Sequence, residues 1–238
     1  FAGYMAMRSQ PISDYYSEST DIAEIHSMSM EQFAYPYAEW FFGDQADKFR
    51  FAHLQEALTF VPFGVAVDEF QHICYAHPEL TPKERTYQWH LLEEKYMPWR
   101  RYEKDPFMER GGYWYHKLHI YLYPFYYINY TLTTMGAMEF KKKYTENKPA
   151  AWQDYLNLCK TGGIRSYLET LRYANLSNPF ASGSVARACG YAAEILLEQI
   201  EKQLSKLVEV ISISHCKKEE TCEREMALIK VKATGTER

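Results

Sequence analysis

The sequence predicts an all-α protein, and three observations predict it. Apolar residues recur at three- and four-residue intervals, as in Phe49, His53, Ala57 and Phe60, which is the period of one face of a helix. Helix start signals stand ahead of such runs, the clearest being Thr81-Pro82-Lys83-Glu84, a capping residue with proline in the first turn and glutamate three residues on. Strand signals are almost absent, with residues 208–213 the one short candidate. There is no internal repeat and no glycine-rich phosphate loop.

In chain order, residues 1–7 (Phe-Ala-Gly-Tyr-Met-Ala-Met) read as the tail of an apolar helix, and residues 8–16, with Pro11, Ser13 and Asp14, as a loop. Residues 21–42 predict a helix in two segments meeting near Pro36 and stopped by Gly43-Asp44. A second helix covers 46–60, is broken by Pro62 and Gly64, and resumes over 65–77. Thr81 caps a helix running through Tyr96. Residues 98–112 are a charged loop closing on Arg110-Gly111-Gly112, and 113–123 are crowded with aromatic residues, His116 and His119. Pro124 opens a long helix over 125–144. Shorter helices come next over 150–160, ending at Gly162-Gly163, and over 164–174. A final amphipathic helix spans 184–207. Residues 208–238 are polar, lack a packing face and read as a weakly structured tail, so the domain division predicted is 1–207 and 208–238.

Composition narrows the function classes. Of 238 residues, 47% are hydrophobic and 16% aromatic, enough for a sizeable core and too much for disorder. A net charge of −4, with no basic stripe interleaved with aromatics, gives no reason to expect nucleic acid. No apolar run approaches the roughly 20 residues that span a membrane, so no membrane partner is expected. The five cysteines, Cys74, Cys159, Cys189, Cys216 and Cys222, are scattered and form no C-x-x-C pair, which suits a reduced, cytoplasmic protein.

Three constellations could carry chemistry. Glu24 and Glu31 stand two helical turns apart, with Met28 between them on one face. A carboxylate on so apolar a helix needs a partner if buried. A metal ion is one such partner, but the spacing alone favours a cap, since Asp21-x-x-Glu24 resembles an N-terminal box, or a buried salt bridge. Glu69-x-x-His72 is a single E-x-x-H, where a di-metal bundle uses two such pairs with two further glutamates, so a structural cluster is the better reading. His116 and His119 lie beside Tyr121, Tyr123, Tyr126, Tyr127 and Tyr130 in the aromatic run; phenol hydroxyls and an imidazole in one cleft could donate to an oxygen that becomes negative in a transition state, or simply belong to the core. Gly111 and Gly112, just ahead of them, would let a backbone approach a ligand closely.

The motifs together resemble a known family. Asp21-Ile-Ala-Glu-Ile-His-Ser-Met-Ser-Met-Glu31, Gly64-Val-Ala-Val-Asp-Glu-Phe-Gln-His72, Glu109-Arg-Gly-Gly112, Leu118-His-Ile120 and Pro124-Phe-Tyr-Tyr-Ile-Asn-Tyr130 are similar to the oligoendopeptidase F branch of the thimet-oligopeptidase-like zinc metallopeptidases, from Phe1 to about Leu207. The resemblance implies a helical lobe of a catalytic domain, one zinc ion, and hydrolysis of internal bonds of short peptides. It makes Glu24 the third zinc ligand and Glu31 its support through hydrogen bonds. It assigns His119, Tyr127 and Tyr130 to the tetrahedral intermediate and the peptide backbone. Tyr123 is carried over as a substrate contact, although that loop usually holds an acidic residue in this branch; His116 is not carried over.

One departure dominates. The family's H-E-x-x-H, which supplies two zinc ligands and the general base, does not occur in this sequence, and Phe1-Ala-Gly-Tyr resembles the family's segment just downstream of that motif. The expectation is therefore the later part of a catalytic domain, cut at its start, which alone binds zinc weakly and does not hydrolyse peptides. A missing lobe would also expose apolar surface, so poor solubility or marginal stability is expected. The tail past Leu207, where the family usually ends, is expected to be a frameshifted or readthrough end. Two competing expectations are a non-catalytic, truncated or degenerate helical protein, and a di-metal oxidase built on Glu69 and His72.

Overall fold

The computed structural model describes residues 1–206, and among these the secondary structure is helical throughout, as the sequence predicts. The order is α1 (Ala2–Ser9), α2 (Thr20–Ala34), α3 (Ala38–Phe42), α4 (Ala46–Ala76), α5 (Pro82–Tyr96), α6 (Pro106–Glu109), α7 (Leu118–Leu122), α8 (Ile128–Glu146), α9 (Lys148–Thr161), α10 (Tyr167–Tyr173) and α11 (Ser184–Leu204). Short 3₁₀ turns join several of them, including Tyr35–Tyr37 at the proline step and Gly112–His116 ahead of α7. Phe1–Ala192 form a first compact unit, and the described residues 193–206 belong to a second. The boundary expected at Leu207, the strand candidate at 208–213, the tail, Cys216 and Cys222 lie outside the described residues.

Capping chemistry sets several helix ends. Thr81 and Glu84 form a reciprocal box at α5, Ser166 and Glu169 another at α10, and the Asn147 side chain accepts from the Ala150 N–H at 3.2 Å to start α9. Gly43 closes α3 with φ at +53°, a backbone state that glycine adopts without strain.

The first unit holds three apolar clusters. Ile22, Ile25 and Phe33 of α2 pack with Phe140 of α8, Tyr155 and Leu158 of α9, and Leu171 of α10. Phe63, Val67 and Phe70 of α4 pack with Trp89 and Leu92 of α5, Trp114 and Tyr127. Val61, Met135, Ala188 and Cys189 form a smaller third. Helices α2 and α8 run closely side by side: Gly136 of α8 leaves room for Ile25, whose side chain comes within 3.3 Å of where a Cβ would stand.

Three sequence expectations are corrected. Pro62 and Gly64 do not break the chain; α4 runs unbroken for 31 residues, about 46 Å at 1.5 Å per residue. Proline removes one backbone donor, but buried Val61 and Phe63 on either side are fixed in separate clusters and carry the helix across the gap. Gly64 serves packing instead: a Cβ there would stand 1.9 Å from Thr131 Oγ1 of α8. Helix α8 begins at Ile128 and not at 125, because Phe125 adopts φ +60° and donates its N–H to Gln71 Oε1 at 2.8 Å, so Pro124 opens a turn. Finally, Ser19 and not Asp21 stands at the N-cap of α2, and Asp21-x-x-Glu24 forms no box.

Candidate active site

Glu24 projects from the second turn of α2 and is half-buried. Its carboxylate accepts from the Ser27 hydroxyl at 2.9 Å. That hydroxyl sits one turn along the same helix, so the salt-bridge reading fails as the capping reading does: among the described residues no cation pairs with Glu24. Glu31 behaves differently. Its side chain is 56% exposed and accepts from His53 Nε2 of α4 at 2.9 Å. The opposite ring nitrogen of His53, Nδ1, accepts from the buried Tyr35 hydroxyl at 2.7 Å. Burial, and then the Glu31 charge, push the Tyr35 phenol well above its ordinary range, so it stays protonated and fixes the His53 tautomer.

The histidine and tyrosines do converge. His119, on α7, stands 5.0 Å ring to ring from Tyr127 and 6.0 Å from Tyr130, and lies parallel to Tyr126 at 6.3 Å. Tyr123 joins the edge at 6.2 Å from His119 and is exposed. The turn at Phe125 accounts for the arrangement: it folds α7 back so that its histidine meets the first turn of α8. Tyr127 is buried, and Lys117 Nζ donates to its hydroxyl at 3.1 Å. Burial lowers the Lys117 pKa, and the charge of Arg100 adds to that. Burial pushes the Tyr127 phenol up to about 12. A hydrogen bond with Tyr126, then burial, raise Tyr130 to about 12, with the Glu24 carboxylate contributing. Both phenols are therefore O–H donors at neutral pH, the state needed to stabilise a developing oxyanion. Asn129 Nδ2 donates to Thr20 Oγ1 at 2.9 Å and Thr133 Oγ1 to Met28 Sδ at 3.4 Å, so the stretch of α2 that carries Glu24 lies along the stretch of α8 that carries Tyr130.

Gly111 and Gly112 are committed elsewhere. Gly111 has φ +95°, and its Cα face meets Thr86 O and His90 of α5, while Gly112 faces the Phe107 ring; both are buried, and their close approaches are to the chain itself. Glu69 is held by Lys95 at 2.8 Å and by Tyr96, whereas His72 faces Asp68 at 3.4 Å and lies tilted against the Phe125 ring at 4.8 Å. The E-x-x-H is thus a pair of separate surface contacts, in keeping with a structural cluster.

Sequence reasoning counted Tyr126, which bonds Tyr130, in the aromatic run without giving it a role, and it missed the pair His53–Tyr35. Periodicity puts His53 on the apolar face of its helix; a histidine between Phe49 and Ala57 is the signal that it needs polar partners from another element. It also missed His26 Nε2 against Glu18 Oε2 at 2.7 Å, a contact between two largely buried side chains that locks α2 to the segment before it.

No family model matches the chain. Solved structures do. A protein assigned as an oligoendopeptidase F is 47% identical with a TM-score of 0.76, covering 82% of this chain and 34% of its own. PZ peptidase A, solved with an inhibitor, is 44% identical with a TM-score of 0.77, covering 83% and 35%. An oligoendopeptidase F assignment from Bacillus anthracis is 40% identical with a TM-score of 0.68, covering 83% and 32%. The chain spans about a third of the length of these relatives, and over more than four fifths of its own length it is similar to the oligoendopeptidases that its motifs resemble. Curated proteins match over shorter stretches. The acetolactate synthase small subunit of Haemophilus influenzae is 42% identical over 71 residues, 30% of this chain and 42% of the relative. The isozyme 3 small subunit of Escherichia coli is 36% identical over 90 residues, 38% and 53%. The chain spans about half the length of these curated relatives. These matches reach less than two fifths of the chain against more than four fifths for the peptidases, so the peptidase likeness governs the site. Among the described residues, no helix is long and apolar enough to cross a membrane.

Proposed function

We propose that this chain is the part of a zinc metallo-oligopeptidase that carries the third metal ligand and the wall that grips the peptide, with cleavage of internal bonds of short peptides in the cytoplasm as the activity of the complete protein. The observation that carries the reading is the cluster of His119, Tyr127 and Tyr130, with the stretch of α2 that bears Glu24 packed along the start of α8, in a helical unit similar to that of the oligoendopeptidases. In this reading Glu24 binds the metal. Glu31, tied to His53, holds the lower end of the same helix face. Tyr127 and Tyr130 donate hydrogen bonds to the carbonyl oxygen as it becomes negative, and His119 orients both phenols. Tyr123 contacts the peptide at the open edge. Gly111 and Gly112 act by fixing the loop before α7 against α5.

These residues alone do not make a metal site. Among the described residues no three His, Cys, Asp or Glu side chains converge, whereas a catalytic zinc takes three protein ligands. Glu24 is one donor, and the sequence holds no H-E-x-x-H. What the chain's own residues supply is binding, orientation and hydrogen-bond donation.

The purified chain should therefore give no chelator-sensitive cleavage of a quenched fluorogenic peptide. Adding a separately produced segment of an oligoendopeptidase F that carries H-E-x-x-H should restore it, and Glu24→Gln should abolish the restored activity. Cleavage by the chain alone would overturn the division of labour. A stable complex with no cleavage would favour a second reading, a non-catalytic helical protein, for which the single donor at Glu24 speaks.

A further inference from the structure

A cavity of about 310 Å³ opens between α2, α4 and α8, below the Glu24 face. Met28, Ala57, Phe60 and Met138 give it an apolar floor, while Glu31, Gln32 and Glu56 bring acceptors to its walls. Gln32 is only 3% exposed, and its Oε1 has no hydrogen-bond partner. A buried acceptor left unpaired is costly and calls for a donor. Glu31 is pre-oriented: His53 donates to its Oε2, and Tyr35 fixes His53 in turn. This leaves the other carboxylate oxygen of Glu31 at the cavity. Glu56 adds a second negative charge at the mouth. A metal ion is a poor match, since no three ligating side chains converge among the described residues.

We propose that this cavity binds a guanidinium group on an aliphatic stem, that is, an arginine side chain. A planar guanidinium offers five N–H donors in a fixed fork, which suits a carboxylate and an amide carbonyl in neighbouring walls, and its methylenes cover Met28, Phe60 and Met138. As a specificity subsite beside Glu24, the role rests on the peptidase reading; as a binding site it does not, so the experiment measures binding. Titration calorimetry on the full chain uses Nα-acetyl-arginine methylamide, with the lysine and norleucine analogues as comparisons. The arginine probe should bind at least about tenfold more tightly than norleucine, and Glu31→Gln should weaken it by about tenfold while leaving norleucine unchanged. Glu56→Gln, at an exposed position, should weaken it by a smaller factor and guards against misfolding of the first variant, with circular dichroism as the check on both. Equal binding of arginine and norleucine, no detectable binding, or an arginine affinity indifferent to both substitutions would overturn the proposal. Lysine binding as tightly as arginine would overturn the assignment to guanidinium.

Discussion

At the scale of single residues, Lys141 shows how burial sets chemistry. It is 6% exposed on α8, and its ammonium lies 3.2 Å from the centre of the Tyr35 ring. Burial, with the charge of Arg50 adding to it, lowers its pKa from 10.5 to about 7. The π-face compensates the charge only in part. Below about pH 7 the folded and unfolded chains both hold the proton, and the fold bears the buried charge in full. Between about 7 and 10.5 only the unfolded chain holds it, so stability must rise with pH across that window. Urea melts from pH 6 to 10 should show that rise, and Lys141→Met should remove it while raising stability most at the acid end. At the site, Tyr35→Phe leaves His53 Nδ1 without its donor and should cost about 1–2 kcal/mol by the same melts. Glu24→Gln should lower the Tyr130 midpoint, because one of the charges that raise it disappears; tyrosine-selective carbon NMR would read the shift.

At the scale of elements, the seam between α4 and α8 depends on Gly64. A methyl there would collide with Thr131 Oγ1, a buried and χ1-stiff side chain. Gly64→Ala should destabilise by about 1–3 kcal/mol, and pairing it with Thr131→Ala should recover most of that, a coupling that a double-mutant cycle measures. The start of α5 was legible in the sequence because Thr81 and Glu84 signal locally what they do locally. The role of Gly64 was not, because a glycine that admits a neighbour and a glycine that breaks a helix look alike until the neighbour is placed. The same holds for Phe125: the turn that folds α7 against α8 depends on Gln71, 54 residues away. The α3 segment adds an exposed apolar ridge, with Trp40 at 81% and Phe41 at 71%, well beyond an ordinary scattered surface residue. Replacing both by serine should reduce dye binding and sedimentation of aggregates, with a stability change within about 0.5 kcal/mol.

At the scale of the whole molecule, helical periodicity and capping chemistry determined the all-α class and the order of the helices, since both are written in neighbours three or four residues apart. The spaced motifs also carried the likeness to oligoendopeptidase F that the solved structures then bore out at 40–47% identity. The tertiary structure alone decided which groups meet. It set His119 parallel to Tyr126 and edge-on to Tyr127 and Tyr130, gave Glu31 to His53 and Tyr35, and packed Gly111 and Gly112 against α5 and Phe107. Glu24 and Glu31 look equivalent on a helical wheel, yet one accepts from Ser27 of its own helix and the other is held by a histidine of another helix. Spacing fixes which face of a helix a side chain occupies; what stands opposite that face is settled by long-range packing, and that packing gives each carboxylate its chemistry.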